Sequence, residues 1–219
     1  MELSKIKIGI VIPTRGDRPQ FLKNCLEQIS LQTIQPDVIE LVDDEPLSSS
    51  KDITYRYRIG VERILKKDVD VIFFWEDDDW YAVNYIETML DLWNQHKQPN
   101  IFGFNSTTYY HIKLQRYIHL KHHGRASMFN TMVKAEAMKG FKWNQDDDPW
   151  TDIHLWNNIE GVALNFETRI CIGVKHGIGL SGGVGHSDGW MQSKTIDLNR
   201  SYLKRHLDQR SLEFYLSIR

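Results

Sequence analysis

Apolar positions along this chain fall into runs and stripes that alternate between strand and helix spacing. Lys7–Ile12 (KIGIVI) is a short apolar run closed by Pro13-Thr14-Arg15-Gly16-Asp17, which predicts a strand ending in a turn. Phe21, Leu22, Cys25, Leu26 and Ile29 recur at helical spacing and predict a helix over 19–32, with Pro19 in its first turn. Val38–Val42 reads as a second strand, ending in Asp43-Asp44-Glu45-Pro46. A serine-rich polar loop leads into a helix over 53–67. Val71–Trp75 is continuous rather than alternating, as a strand buried on both faces must be. Residues 83–96 form a further helix, with Tyr85, Ile86, Met89, Leu90 and Trp93 on its inner side.

This β-α-β-α-β-α order predicts an α/β fold with a mostly parallel sheet flanked by helices. After Pro99 the pattern changes. Ile101–Leu120 is rich in Thr, Tyr, Ile and Phe, which reads as antiparallel strands or a hairpin. Ala126–Thr131 is a further candidate strand, Lys134–Lys139 a short helix and Trp150–Ile159 a helix. Ala163–Val174 is strand-like, and Gly177–Gly189 is a glycine-rich loop. Thr195–Leu207 reads as a terminal helix with a basic face. No repeat or linker composition divides the chain, so one domain over 1–219 is expected.

Composition narrows the class without naming a partner. With 219 residues, 41% hydrophobic and 26% charged, the chain has room for one packed α/β domain. A formal charge of -2 gives no general attraction to nucleic acid or membrane. Cys25 and Cys171 lie in helical and strand-like apolar patterns, so two buried free thiols are expected. Neither a signal-peptide h-region nor an apolar run of about 20 residues is present, which makes the cytoplasm the default location.

The chemistry concentrates where strands end. Glu76, Asp77, Asp78 and Asp79 follow the buried run at once, and four adjacent carboxylates repel unless a positive group compensates. Oxygen ligands without cysteine favour Mg²⁺ or Mn²⁺, and Mg²⁺ is commonly held by carboxylates together with substrate phosphates. Asp43-Asp44-Glu45 and Asp146-Asp147-Asp148 with Asp152 are two further acidic groups, the latter equally readable as a solvated face. His176 precedes five glycines in the nine residues 177–185 and is a candidate for the metal shell or a phosphate contact. The glycines suit close approach to phosphate but form no P-loop pattern. His122-His123-Gly124-Arg125 is a weaker acceptor or phosphate contact, or a solvated turn.

IGIVIPTRGDRP, VIELVDDEP and VIFFWEDDDWY, in that order, resemble the signatures of GT-A-fold glycosyltransferases of the family-2-like group over about residues 5–160. The resemblance implies a nucleotide-binding half (1–98) and an acceptor-side half (99–219), with a smaller antiparallel part for the acceptor. It places Pro13, Thr14 and Arg15 around the nucleotide base, Asp43 or Asp44 on the nucleoside, and Glu76 to Asp79 at ribose and metal. Two registers fit the acidic motif: Glu76, Asp78 and Asp79, or Asp77 with Asp79. Asp78 is the favoured metal ligand, with its neighbours kept as candidates. WTDIHLW resembles the segment bearing the catalytic base, with Thr151 where Glu is usual; Asp152 is the implied base and Asp148 the alternative. The implied reaction moves a sugar from a nucleotide-diphosphate sugar, most commonly a UDP-sugar, to an acceptor hydroxyl with inversion, assisted by Mn²⁺ or Mg²⁺. The acceptor's carrier is open: a glycan, a lipid-linked hydroxyl or a nucleic-acid-borne one. A sugar nucleotidyltransferase or phosphohydrolase is a competing reading, although PTRGDRP has one Gly and no D-x-D-x-T is present. A non-catalytic nucleotide-sugar-binding protein is another.

Overall fold

The computed structural model describes residues 6–47, 51–166, 169–177 and 188–218. Strands β1 (Ile8–Pro13), β2 (Val38–Val42) and β3 (Val71–Phe74) alternate with helices α1 (Pro19–Ser30), α2 (Ile53–Ile64) and α3 (Tyr85–Gln95), each close to its predicted span. Every position of β1 and β3 is buried, in keeping with unbroken apolar runs covered on both faces. β1 lies between β2 and β3, parallel to both. Helical crossovers therefore bring three carboxyl ends to one edge of the sheet, where α/β proteins bind ligands. That edge carries the PTRGDRP, DDEP and EDDD segments.

Ile101–Phe104 does not belong to the antiparallel region. It is β5, buried at all four positions, in the same sheet as β1. Its neighbours are β8 (Thr131–Lys134), antiparallel to both β3 and β5, and β9 (Gly161–Leu164), parallel to β5. The order is β2-β1-β3-β8-β5-β9, so only β8 opposes the common direction. Only Asn105 separates β5 from the next strand, which is why the sequence shows them as one run. Ala126–Thr131 is not a strand either. Residues 128–130 make a 3-10 turn that leads into β8.

The predicted hairpin is β6 (Ser106–His111) with β7 (Arg116–Lys121). The expected strand-like stretch 163–174 is split between β9 and β10 (Cys171–Lys175). β10 runs parallel to β6 and antiparallel to the short β4 (Trp80–Tyr81), and β11 (Thr195–Ile196) pairs with β7. Because β4 follows the acidic run directly, that run is pinned between the two sheets. Trp75 before it stacks on Tyr81 after it, with ring centroids 3.8 Å apart. The short helix α4 (Ala135–Met138) and the helix α5 (Thr151–Asn158) match their predicted positions.

No single helix spans Thr195–Leu207. After α6 (Asp188–Gln192) and β11, Asn199 and Arg200 take φ of 58° and 54°, and α7 (Ser201–His206) begins only afterwards. Asp197 organises the break, accepting hydrogen bonds from the Ser201 hydroxyl, the Tyr202 backbone N–H and the Tyr110 hydroxyl. α8 (Gln209–Ser217) follows, capped by Asp208, and buries Leu212 and Tyr215. Cys25 and Cys171 are buried free thiols, as expected. Among the described residues no helix is long and apolar enough to cross a membrane.

Candidate active site

The acidic run leaves β3 as a tightly held turn. The Glu76 backbone N–H donates to the Tyr81 hydroxyl, and the Asp79 carbonyl accepts from Gln28 of α1. Gln28 also accepts from the Tyr81 N–H, and the Tyr215 hydroxyl of α8 donates to the Asp78 carbonyl. Held this way, the four side chains diverge. Ligand oxygens of Glu76, Asp78 and Asp79 lie within 4.8 Å of one another. Asp77 turns instead to Arg18, whose Nη2 donates to its Oδ1 over 3.0 Å. Arg18 Nη1 donates to Asp78 Oδ2 over 2.6 Å. His176 Nε2 lies 2.9 Å from the same Asp78 oxygen, with its ring fully buried against Phe21.

Charges in so confined a space separate their titrations. Burial, together with the Asp78 and Asp77 charges, pushes the Glu76 carboxyl up to about 7 against the pull of Lys175 and the Tyr57 hydroxyl. Burial and the Asp78 charge push Asp77 up to about 6, against Arg18. Asp79 is also pushed well up, by burial first and by Glu76 second. Asp78 alone falls. Burial opposes its charge, but the His176 hydrogen bond and the Arg18 guanidinium outweigh it. Lys175, at the end of β10, is buried, yet the surrounding carboxylates hold its ammonium above the ordinary lysine value. The positive compensation that the acidic run demanded is thus built in, from Arg18 and Lys175.

These residues also fit a divalent cation. Three carboxylates converge, and Asp79 Oδ2 is buried without a hydrogen-bond partner, while its Oδ1 accepts from the Val174 N–H. A buried oxygen left in that state costs about 1–3 kcal/mol, and a cation would satisfy it.

Towards β2 the edge is organised by Arg56 of α2, which is almost wholly buried. Its guanidinium donates to the Thr14, Val42 and Asp44 carbonyls and to the buried Asp52 carboxylate. Arg15 donates to the other Asp52 oxygen over 3.0 Å. Pro13 and Thr14 are buried at this edge and Arg15 is half-buried. Asp44 is gripped at both oxygens by Arg63, and the Arg63 hydrogen bonds hold its carboxyl below the ordinary range. Asp43 is exposed.

Asp152 stands in the first turn of α5 and lines a cavity of about 150 Å³ together with Glu76, Tyr57, Tyr109 and Lys175. Its Oδ1 accepts from the Ile153 N–H and its Oδ2 pairs with Arg125. Burial raises its carboxyl, and Arg125 opposes the rise. Asp148 does not line this cavity; its Oδ1 accepts from the Trp150 N–H and closes a turn. Thr151 is buried and bonded to the Thr54 hydroxyl, tying α5 to α2. Asp146 pairs with Arg58. The glycine-rich stretch 178–187 lies outside the described residues.

Sequence reasoning passed over Arg18, Lys175, Tyr57 and Tyr109 in its site, and read Arg125 as a weaker acceptor or phosphate contact, whereas it pairs with Asp152. Arg18 carried a signal, as the second arginine of PTRGDRP, and Lys175 stands directly before His176. The two tyrosines carried none, since only folding turns them towards the carboxylates.

No protein-family profile matches the chain. A curated relative, Glycosyltransferase GlyA of Streptococcus pneumoniae serotype 4, is 22% identical over 231 residues, covering 94% of this chain and 31% of that protein. The chain therefore spans less than a third of that relative's length. Residues 1–349 of S. aureus TarS in complex with UDP-GlcNAc superpose with a TM-score of 0.55 at 10% identity, over 97% of this chain and 71% of that one. The longer TarS structure gives 0.52 at 8% identity, over 78% and 37%. TarS has a GT-A-like fold, and this chain shares it.

Proposed function

We propose that the chain transfers a sugar from a nucleotide-diphosphate sugar to an acceptor hydroxyl, with inversion, as a member of the family-2-like group. One observation carries the reading: Glu76 of the acidic cluster and Asp152 line the same cavity. In this reading a leaving-group end and a base end share one small space. At about 150 Å³ it is below the roughly 300–1,000 Å³ of whole-ligand pockets, so it suits the transferred sugar alone. The nucleoside then lies along the open edge of β1 and β2, beside Thr14 and Arg15. Asp43 is its exposed carboxylate, because Asp44 is committed to Arg63. The GlyA likeness and the UDP-GlcNAc complex of a protein with this fold support a nucleotide-sugar donor, and make UDP-GlcNAc the first to test.

Glu76, Asp78 and Asp79 would hold Mn²⁺ or Mg²⁺, the first of the two registers, with His176 beside Asp78. When bound, the cation supplies positive charge against the diphosphate. The remaining work falls to the protein. Asp152 takes the proton of the acceptor hydroxyl as its oxygen bonds to the anomeric carbon, and the bond from that carbon to the diphosphate oxygen breaks on the opposite face. Lys175, buried between the two ends, steadies negative charge in the cavity. Residues 1–98 supply the nucleotide edge and residues 99–219 supply Tyr109, Asp152 and Lys175, a division in keeping with a single two-part domain.

The Arg125–Asp152 pair favours one second reading, a nucleotide-sugar-binding protein without turnover. UDP release from UDP-GlcNAc, to an added glycan acceptor or to water, separates them when measured with Mn²⁺ or EDTA. Metal-dependent release, lost in Asp152→Asn with nucleotide binding retained, is expected. Binding without release in the parent protein establishes the second reading. Absence of metal-dependent binding across a panel of nucleotide sugars overturns the first, and absence of any binding overturns both.

A further inference from the structure

Among the described residues, Arg18 is the one guanidinium hydrogen-bonded to carboxylates of the acidic turn. It stands between β1 and α1, where Pro19 at the first helical position fixes the chain's direction. Both Nη atoms are spent on the cluster, one on Asp78 and one on Asp77, and its side chain is 13% exposed. Asp78 Oδ2, which it grips, belongs to the three-carboxylate group whose atoms lie within 4.8 Å. A divalent cation at that group and the Arg18 guanidinium would therefore compete for one oxygen, which the guanidinium already holds over 2.6 Å. Repulsion between the two in a poorly solvated site weakens the hold of each on the shared oxygen.

We propose that Arg18 is a resident counter-cation that competes with the divalent cation for Asp78 and thereby couples cation binding to the arrival of a nucleoside diphosphate. The inference rests on the proposed cation site and adds its regulation. A cation arriving alone must take from the guanidinium the shorter of its two carboxylate bonds, 2.6 Å to Asp78, and leaves it Asp77 over 3.0 Å. A diphosphate arriving with the cation provides a replacement partner, because it brings several anionic oxygens to the same edge and matches the guanidinium fork. Each ligand consequently strengthens the other, and the coupling is reciprocal.

The test is direct Mn²⁺ binding, read from the electron paramagnetic resonance signal of free Mn²⁺, with and without UDP, each reading corrected for the Mn²⁺ that the same UDP binds without protein. Parent protein, Arg18→Gln and Asp78→Asn are compared after their folding is checked by circular dichroism. Parent protein should bind Mn²⁺ weakly alone and roughly tenfold or more tightly with UDP. Arg18→Gln should bind Mn²⁺ alone about tenfold more tightly than the parent and lose most of the UDP effect. If Asp78→Asn loses Mn²⁺ while Arg18→Gln matches the parent, the Arg18 inference is overturned and the cation site stands. If Asp78→Asn binds Mn²⁺ like the parent, the cation site itself is overturned, and the Arg18 inference with it. Should Arg18→Gln not fold, the parent decides: equal Mn²⁺ affinity with and without UDP overturns the coupling.

Discussion

Asp152 sits between two opposing influences, and its titration follows from them. Burial favours the protonated acid, and Arg125 favours the carboxylate without fully offsetting burial. As the proposed base, Asp152 must be ionised to work, so turnover should rise with pH through a value above the ordinary aspartate pKa of about 4. Arg125→Gln removes the opposing charge and should move that limb to still higher pH. Asp152→Asn should lower kcat by about 10²–10⁴-fold, which steady-state UDP release measures. Arg56 makes a different residue-scale prediction. Its loss in Arg56→Met leaves Asp52 buried beside Arg15 alone and takes a donor from the Thr14 and Asp44 carbonyls, while the Val42 carbonyl keeps the Thr14 N–H, a cost of about 3–5 kcal/mol in urea denaturation. Neither environment is written in the residue's own neighbourhood of sequence. Asp152 meets Arg125 across 27 positions, and Arg56 meets the Thr14 carbonyl across 42.

Elements with one dominant period were legible, and those with a conformational break were not. β1, β3, α1 and α3 announce themselves by continuous or helical apolar spacing, and the acidic site at the end of β3 follows from that placement. The terminal region reads as one helix because nothing in its composition announces the left-handed residues Asn199 and Arg200. α8 could have been read: Asp208 is an N-cap type, and Leu212 and Tyr215 share a face. Its cap makes a test. The Asp208 carboxylate accepts from the Ser211 N–H over 2.9 Å and the Trp80 indole over 3.2 Å. Burial opposes its charge, but these hydrogen bonds outweigh burial and lower its pKa. A lowered folded-state pKa means stabilisation that is present above the unfolded value of about 4 and lost as pH falls through the folded one. Asp208→Ala should thus cost about 1 kcal/mol at neutral pH, with the difference closing in acid, as urea melts at both pH values would record.

At the scale of the molecule, the site is assembled from both sheets and from α8, so its ligands should stabilise the whole. UDP with Mn²⁺ at about 100 times the dissociation constant should add about 2.7 kcal/mol to unfolding, read as a rise in Tm that EDTA abolishes. The same assembly explains what could be read beforehand. Local pattern by itself determined the α/β order, the parallel arrangement of the first three strands and the acidic turn at their carboxyl edge, because periodicity and strand ends are properties of short segments. Only the tertiary structure decided that β5 joins the main sheet and that β8 opposes it, since strand partners are chosen by burial at long range. It alone separated Asp77 from its three neighbours, set Arg18 upon Asp78, and brought Asp152 to Glu76. Charges so far apart in sequence acquire their partners, and hence their protonation, only when packing removes the water between them.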